Sequence, residues 1–248
     1  MVYQQNLAIW LLLGIVLLLV PAQGAQYTFC NATESTMFYD YANDVILSSY
    51  GDNFVVGTTD GPLFGPGNGS TDAFIATYFP LNGTLYRWNA IQIATPLTDA
   101  AYGVAFSSSS QNILYVAGTY ANYPWVGFFD YYLNTLYNYL QLSTPATNGN
   151  IGQFSDVAAV PGGVIAVGSA YVNSASRWDG FLVKISDNTT VIWSRNITNY
   201  SVDDYLNAVT FLASSNRVFV GGQTAVSGAG KEFYLAEISN TYGVVMNQ

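Results

Sequence analysis

A strand-like segment recurs four times along this chain at an almost constant spacing. The copies read "DAFIATYF" from Asp72, "VGFFDYYL" from Val126, "WDGFLVKI" from Trp178 and "EFYLAEIS" from Glu232. Aligning them places Phe74, Phe128, Phe181 and Phe233 in one column, at intervals of 54, 53 and 52 residues. A period of this size indicates one supersecondary unit repeated along the chain.

Three further columns share this period, so each unit contains four strand-like segments. The first segment is marked by Val45, Val104, Val157 and Val209. The second is apolar and ends in glycine, at Gly57, Gly118, Gly168 and Gly222. The fourth follows a tight turn and ends at Trp88, Tyr139, Trp193 and, more weakly, Met246. We predict that each column glycine permits a close backbone approach that a Cβ atom would obstruct.

Short segments rich in Val, Ile, Phe and Tyr, separated by Gly, Asn, Ser and Pro, are typical of propeller blades. The predicted fold is all-β: a β-propeller of about four four-stranded blades, at residues 40–92, 99–142, 152–197 and 204–248. Four unrelated hairpins in a sandwich would not keep a constant spacing in four columns at once.

The repeat resembles the SBBP-type (seven-bladed β-propeller) repeat family of bacteria and archaea. The resemblance rests on Asp99, "VAF" from Val104, "LYVAGT" from Leu114, "DAFIA" from Asp72 and "NGTL" from Asn82. It covers roughly residues 40–246 and implies an extracellular repeat protein. The family has no shared catalytic site, so the resemblance implies no active-site residues.

Four blades are the lower limit for a closed propeller. Three arrangements stay open: a four-bladed ring closed by a strand at Gln26 to Cys30, an eight-bladed ring shared by two chains, or a longer array. An open stack would leave long apolar edges exposed, which proteins avoid.

The N-terminus carries fourteen apolar residues, from Leu7 to Val20, and no Lys or Arg precedes them. Such a run spans about 21 Å as a helix, short of the ~30 Å hydrocarbon core. Residues 1–24 are therefore predicted to be a signal peptide or an N-terminal membrane anchor, and residues 25–39 a linker or closing strand. Either reading predicts a secreted or cell-surface protein. Cys30 has no partner within the chain, so it is free or bonded to another chain.

Composition excludes several kinds of function. The chain has no histidine and one cysteine, which removes histidine-based acid–base chemistry and a zinc cluster. Six basic against fifteen acidic residues do not provide the basic surface that nucleic acids require. We therefore predict no cofactor, no metal and no enzymatic activity, with a carboxylate glycosidase or lyase as the alternative. Asp40, Asp99 and Asp204 each stand five residues before a column valine and are interpreted as structural.

Ligand and sugar positions follow from the repeat. Trp125, Tyr171 and Trp178 lie in or beside the connections between second and third strands, where exposed aromatic rings could stack on sugars. Six N-x-Ser/Thr sequons mark candidate glycosylation sites, at Asn31, Asn68, Asn82, Asn188, Asn196 and Asn199. The predicted function is a structural, adhesive or interaction module. The alternatives are a lectin-like or carbohydrate-active propeller, and a subunit of an extracellular filament or surface layer. The predicted partners are surface proteins, glycans or further copies of the chain.

Overall fold

The computed structural model describes residues 39–67, 70–81, 84–109, 112–134, 136–141, 151–172, 177–197, 203–226 and 230–247. All regular secondary structure in these ranges is β-strand, which confirms the predicted all-β class. Within the same ranges, no helix is long and apolar enough to cross a membrane.

In the described residues, sixteen strands form four antiparallel sheets of four, each sheet in chain order. The first sheet contains β1 (Asp40–Leu47), β2 (Asn53–Thr59), β3 (Asp72–Leu81) and β4 (Thr84–Ile93). The second contains β5 (Ala100–Phe106), β6 (Ile113–Tyr120), β7 (Tyr123–Asp130) and β8 (Leu136–Gln141). The third contains β9 (Gly152–Val160), β10 (Gly163–Val172), β11 (Arg177–Ser186) and β12 (Val191–Ile197). The fourth contains β13 (Asp204–Leu212), β14 (Arg217–Val226), β15 (Gly230–Ser239) and β16 (Val245–Asn247).

The sheets pack face to face in chain order, and their first strands make many of the contacts between sheets. Each junction is a separate apolar cluster, because alternate residues of a strand point to opposite faces of its sheet. Phe54 and Val104 belong to the first junction, Phe128 and Phe181 to the second. Leu182 of the third sheet and Val220 of the fourth belong to the third junction. Burying each such side chain contributes about 1.5 to 3 kcal/mol to folding.

The four column glycines all lie opposite a β-bulge in the first strand of their sheet. Each pairing shifts by one residue at the same place, which leaves Asn43, Tyr102, Ser155 and Asn207 as the extra residues. A Cβ atom built on Gly118 would lie 1.9 Å from the carbonyl oxygen of Ala100, and on Gly222 it would lie 2.0 Å from that of Tyr205. Gly57 and Gly168 meet the same obstruction. The bulge brings the carbonyl inward, so this position requires glycine.

The predicted phenylalanine column is wrong at two of its four members. In the first and third sheets, Phe74 and Phe181 pair with the column glycine. In the second and fourth sheets, the residues opposite that glycine are Trp125 and Tyr234 instead of Phe128 and Phe233.

The connections before the third strand explain this error. In the second sheet, that connection is a two-residue turn with positive φ at Ala121 and Asn122, whereas in the first sheet it spans residues 60–71. Equal spacing of phenylalanines along the chain therefore does not give equal positions in the sheets. The structural column is Phe74, Trp125, Phe181 and Tyr234, and all four side chains are buried.

Candidate functional site

The aromatic residues predicted to face a ligand lie near the strand ends where the chain passes from one sheet to the next. Trp125 is only 2% exposed and packs in the first junction, so it offers no surface for a ligand. This corrects its assignment as a ligand-face candidate. Tyr171 and Trp178 are half-buried partners across β10 and β11.

Tyr171 and Trp178 continue into a strip of rings with Tyr205, which the sequence did not single out. The ring centroids of Tyr171 and Trp178 lie 5.7 Å apart at 63°, and those of Trp178 and Tyr205 lie 6.1 Å apart at 28°. Lys231 Nζ stands 5.3 Å from the Tyr205 ring centroid. The Trp178 backbone N–H donates to Asp203 Oδ1 over 2.8 Å, which fixes the start of β11. Partly exposed rings with a neighbouring cation and carboxylate can stack on a polar ring such as a sugar.

The predicted aspartate column forms hydrogen bonds within the chain. Asp40 Oδ1 accepts from Thr59 Oγ1 across β1 and β2, and Asp204 Oδ1 accepts from Thr224 Oγ1 in the same way in the fourth sheet. Asp99 is fully buried and accepts from the backbone N–H groups of Thr95 and Ala121. Burial raises the pKa of Asp99 despite these bonds. In the part of the chain that the structure describes, no group of three His, Cys, Asp or Glu side chains is placed to hold a metal ion.

Two other aspartates join neighbouring sheets. Asp44 Oδ2 accepts from the Val104 N–H over 2.9 Å, and Asp156 Oδ2 accepts from the Val209 N–H over 2.8 Å. Burial raises the pKa of both carboxyls, that of Asp156 to about 6, and the charge of Asp44 adds to the shift of Asp156. Each of these aspartates directly precedes a column valine. This shared position in the repeat is the sequence signal by which both could have been found. Their hydrogen bonds link consecutive first strands.

The side of the fourth sheet that points away from the third sheet is uncovered. We call it the free face, and it carries Leu212, Phe219, Phe233 and Leu235. Phe233 is 79% exposed, Leu235 51% and Leu212 47%. The residues that pair in the same way in the other sheets are buried: Ile75, Val126 and Leu182 at the position of Leu235, and Ala73, Pro124 and Gly180 at the position of Phe233. The free face therefore has the form of a sheet junction without its second sheet.

On the side of the first sheet that points away from the second sheet, only β1 is uncovered, because Val55, Phe74 and Tyr78 of β2 and β3 are buried there in a fourth apolar cluster under Leu63 and Phe64. Val45 is 38% exposed and Leu47 51%, whereas Val104 and Phe106 at the same positions of β5 are buried. Ala42 lies on this side and is exposed as well. We call these three residues the β1 face.

Two of the predicted sequons lie in the described residues. Asn188 is exposed in the turn between β11 and β12, and Asn196 is exposed on β12. Both positions are accessible to a modifying enzyme. Cys30 and the sequons at Asn31, Asn68, Asn82 and Asn199 lie outside the described residues.

Comparison of the chain with models of known protein families, and with curated proteins, found no match. Function is therefore inferred from the residues of this chain.

Proposed function

We propose that this chain is a non-enzymatic interaction module, exported from the cell, whose four sheets are blades of a β-propeller. It binds a protein partner through the free face of the fourth sheet. The observation that carries this proposal is the exposure of Phe233, Leu235 and Leu212 at positions that are buried in the other sheets.

The chemistry of the free face supports a protein partner. Its exposed side chains are large and apolar, as in the centres of protein interfaces. Charge lies at the two ends of the face: Arg217 pairs with Glu237 through Nε–Oε1 at 2.6 Å and lies over the Phe219 ring at 4.8 Å, and Lys231 stands at the other end, 5.3 Å from the Tyr205 ring centroid. Phe233 and Leu235 are the natural anchors, since a few large apolar side chains usually supply most of the binding energy.

The carboxylates support a non-enzymatic role. Asp44, Asp99 and Asp156 hold backbone N–H groups of neighbouring segments, and the sequence provides no histidine to act with them. Asp44 and Asp156 therefore join neighbouring sheets, and Asp99 joins the connection before β5 to the turn after β6.

The proposal is tested by replacing Phe233 with a photo-reactive phenylalanine analogue in the cells that make the protein. Ile192 is the matched control, because it is an exposed apolar residue of β12, away from the free face. We expect light to produce an adduct of one discrete polypeptide at position 233 and none at position 192. Equal labelling at both positions, or none at position 233, would refute the proposal.

A second candidate function is carbohydrate binding by the strip of Tyr171, Trp178 and Tyr205. Its half-exposed rings lie side by side at one end of the third and fourth sheets. On a glycan array, Trp178→Ala should lose any signal that the parent protein gives. Trp88→Ala, which removes a partly exposed ring elsewhere, should retain it. Loss of signal in both variants would count against this strip.

A further inference from the structure

The free face and the β1 face correspond to the two sides of one kind of junction, and on the first sheet only the first strand is open, since β2 and β3 are buried there. At each junction, the side of one sheet that points forward along the chain packs on the backward side of the next sheet. The free face of the fourth sheet is such a forward side, and the β1 face is such a backward side. The missing neighbour of each face is thus present at the other end of the same chain.

Side-chain volumes at one contact position support this match. In the third junction, a Cβ atom built on Gly180 would lie 3.2 Å from Leu206 Cγ, so a small residue on the forward side faces a large one on the backward side. Phe233 occupies the position of Gly180, and Ala42 occupies that of Leu206. A large residue on the free face would therefore meet a small one on the β1 face. The two side chains together would fill the space between the sheets without overlapping.

The first strands carry a second matching pattern. The residues directly before the column valines are Asp44, Gly103, Asp156 and Ala208, so carboxylates alternate with small residues. At the second junction, the position of Gly103 approaches the Asp156 Cα so closely that a Cβ atom would lie 2.9 Å from it. If the β1 face of another copy followed the fourth sheet, Ala208 would face Asp44 and the alternation would continue.

Within one chain, the described strands of the first and fourth sheets do not form a junction, since the extensive contacts between sheets all join consecutive ones. We infer that the partner at the free face is a second copy of this chain, packed head to tail. The β1 face of each copy covers the free face of the other, and two copies form a ring of eight sheets. Eight blades lie within the range of closed propellers. This inference rests on the proposed function, since it names the partner of the same face.

The test exchanges the large and the small side chain between positions 233 and 42 of the purified protein. The mass of each variant is measured by light scattering over a range of concentrations. The parent protein should have twice the mass that the same purified chain shows under denaturing conditions. Phe233→Ala removes the anchor, and Ala42→Leu places a larger side chain against Phe233. Each should weaken the dimer at least about tenfold, since a lost or obstructed anchor costs more than 1.4 kcal/mol.

The double variant Phe233→Ala/Ala42→Leu should regain most of the lost affinity, because it restores a small residue against a large one as in Gly180 and Leu206. Ile192→Ala is the control and should leave the dimer unchanged. Residues 42 and 233 are exposed in a single chain, so the melting temperature of the dissociated chain should stay the same in every variant.

A monomeric parent protein would overturn head-to-tail pairing. If position 233 still captured a different polypeptide in cells, the proposed function would stand and only this inference would fall. A mass that grows steadily with concentration would overturn the closed ring. A dimer in which the double variant is weaker than both single variants would overturn the contact between positions 42 and 233.

Discussion

Two adjacent glycines in β14 provide a strict test of the bulge geometry. A Cβ atom on Gly222 would lie 2.0 Å from the Tyr205 carbonyl oxygen, whereas one on Gly221 has its nearest neighbour, the Tyr234 carbonyl oxygen, at 3.8 Å. The first distance is far inside van der Waals contact, and the obstructing atom is backbone held by the paired strand. Gly222→Ala therefore requires the bulge in β13 to open, while Gly221→Ala adds a methyl group that meets no close atom of the same chain, because Gly221 lies on the free face.

Overpacking in a fixed structure costs about 1 to 3 kcal/mol, and the obstruction at Gly222 belongs at the upper end. For a domain of this size, about 3 kcal/mol lowers the melting temperature by roughly 6 to 12 °C. Gly221→Ala should be neutral or slightly stabilising, because alanine restricts the unfolded chain more than glycine does. Thermal unfolding of the dissociated single chain, followed by circular dichroism, measures both. Melting temperatures within about 2 °C of each other would refute the requirement for glycine.

Two further predictions concern polar groups at the sheet junctions. The folded protein holds the Asp156 proton up to a pKa of about 6, above the ordinary 3.8, so stability should rise as pH falls through this window. Urea unfolding measures the free energy of unfolding of the parent protein and of Asp156→Ser at pH 7 and pH 4. Between these pH values, the parent protein should gain about 2 kcal/mol more than the variant. An equal change in both proteins would show that Asp156 titrates normally. The buried Lys184 ammonium donates to Asn240 Oδ1 at 2.8 Å and to its carbonyl oxygen at 3.0 Å. Asn240→Ala should therefore cost about 2 kcal/mol in the same assay, and Lys184→Met, which removes the charge as well, should cost less.

The sequence predicts the repeat well because strand and turn signals are local. The valine column of first strands and the glycine column of second strands keep the same register in all four sheets. The β-bulge that requires this glycine cannot be recognised in the sequence, except through the glycine itself. The phenylalanine column failed because its position depends on the length of the preceding connection, which varies from one sheet to the next.

The proposed binding surface could not be predicted from the same columns. Phe233 and Leu235 have the residue types of core positions, and the sequence contains no sign that the fourth sheet lacks a neighbour on that side. Their exposure is a property of the stack, since the residues at the same positions of the other sheets are buried by the next sheet. Asp44 and Asp156 were likewise visible as residues, but their role depends on which strand lies opposite.

In the assembly that we propose, the same kind of contact serves folding inside the chain and binding at its ends. A junction between consecutive sheets is made by apolar residues of alternating faces, and nothing in its chemistry requires the two sheets to belong to one chain. The two ends can nevertheless be separated by mutation. A substitution at Gly222 acts on the bulge within one sheet and should lower stability, whereas one at Phe233 acts on a face that a single chain leaves open. A variant that unfolds normally but no longer associates would therefore locate the function at the free face, and it would also explain why large apolar side chains stand exposed there.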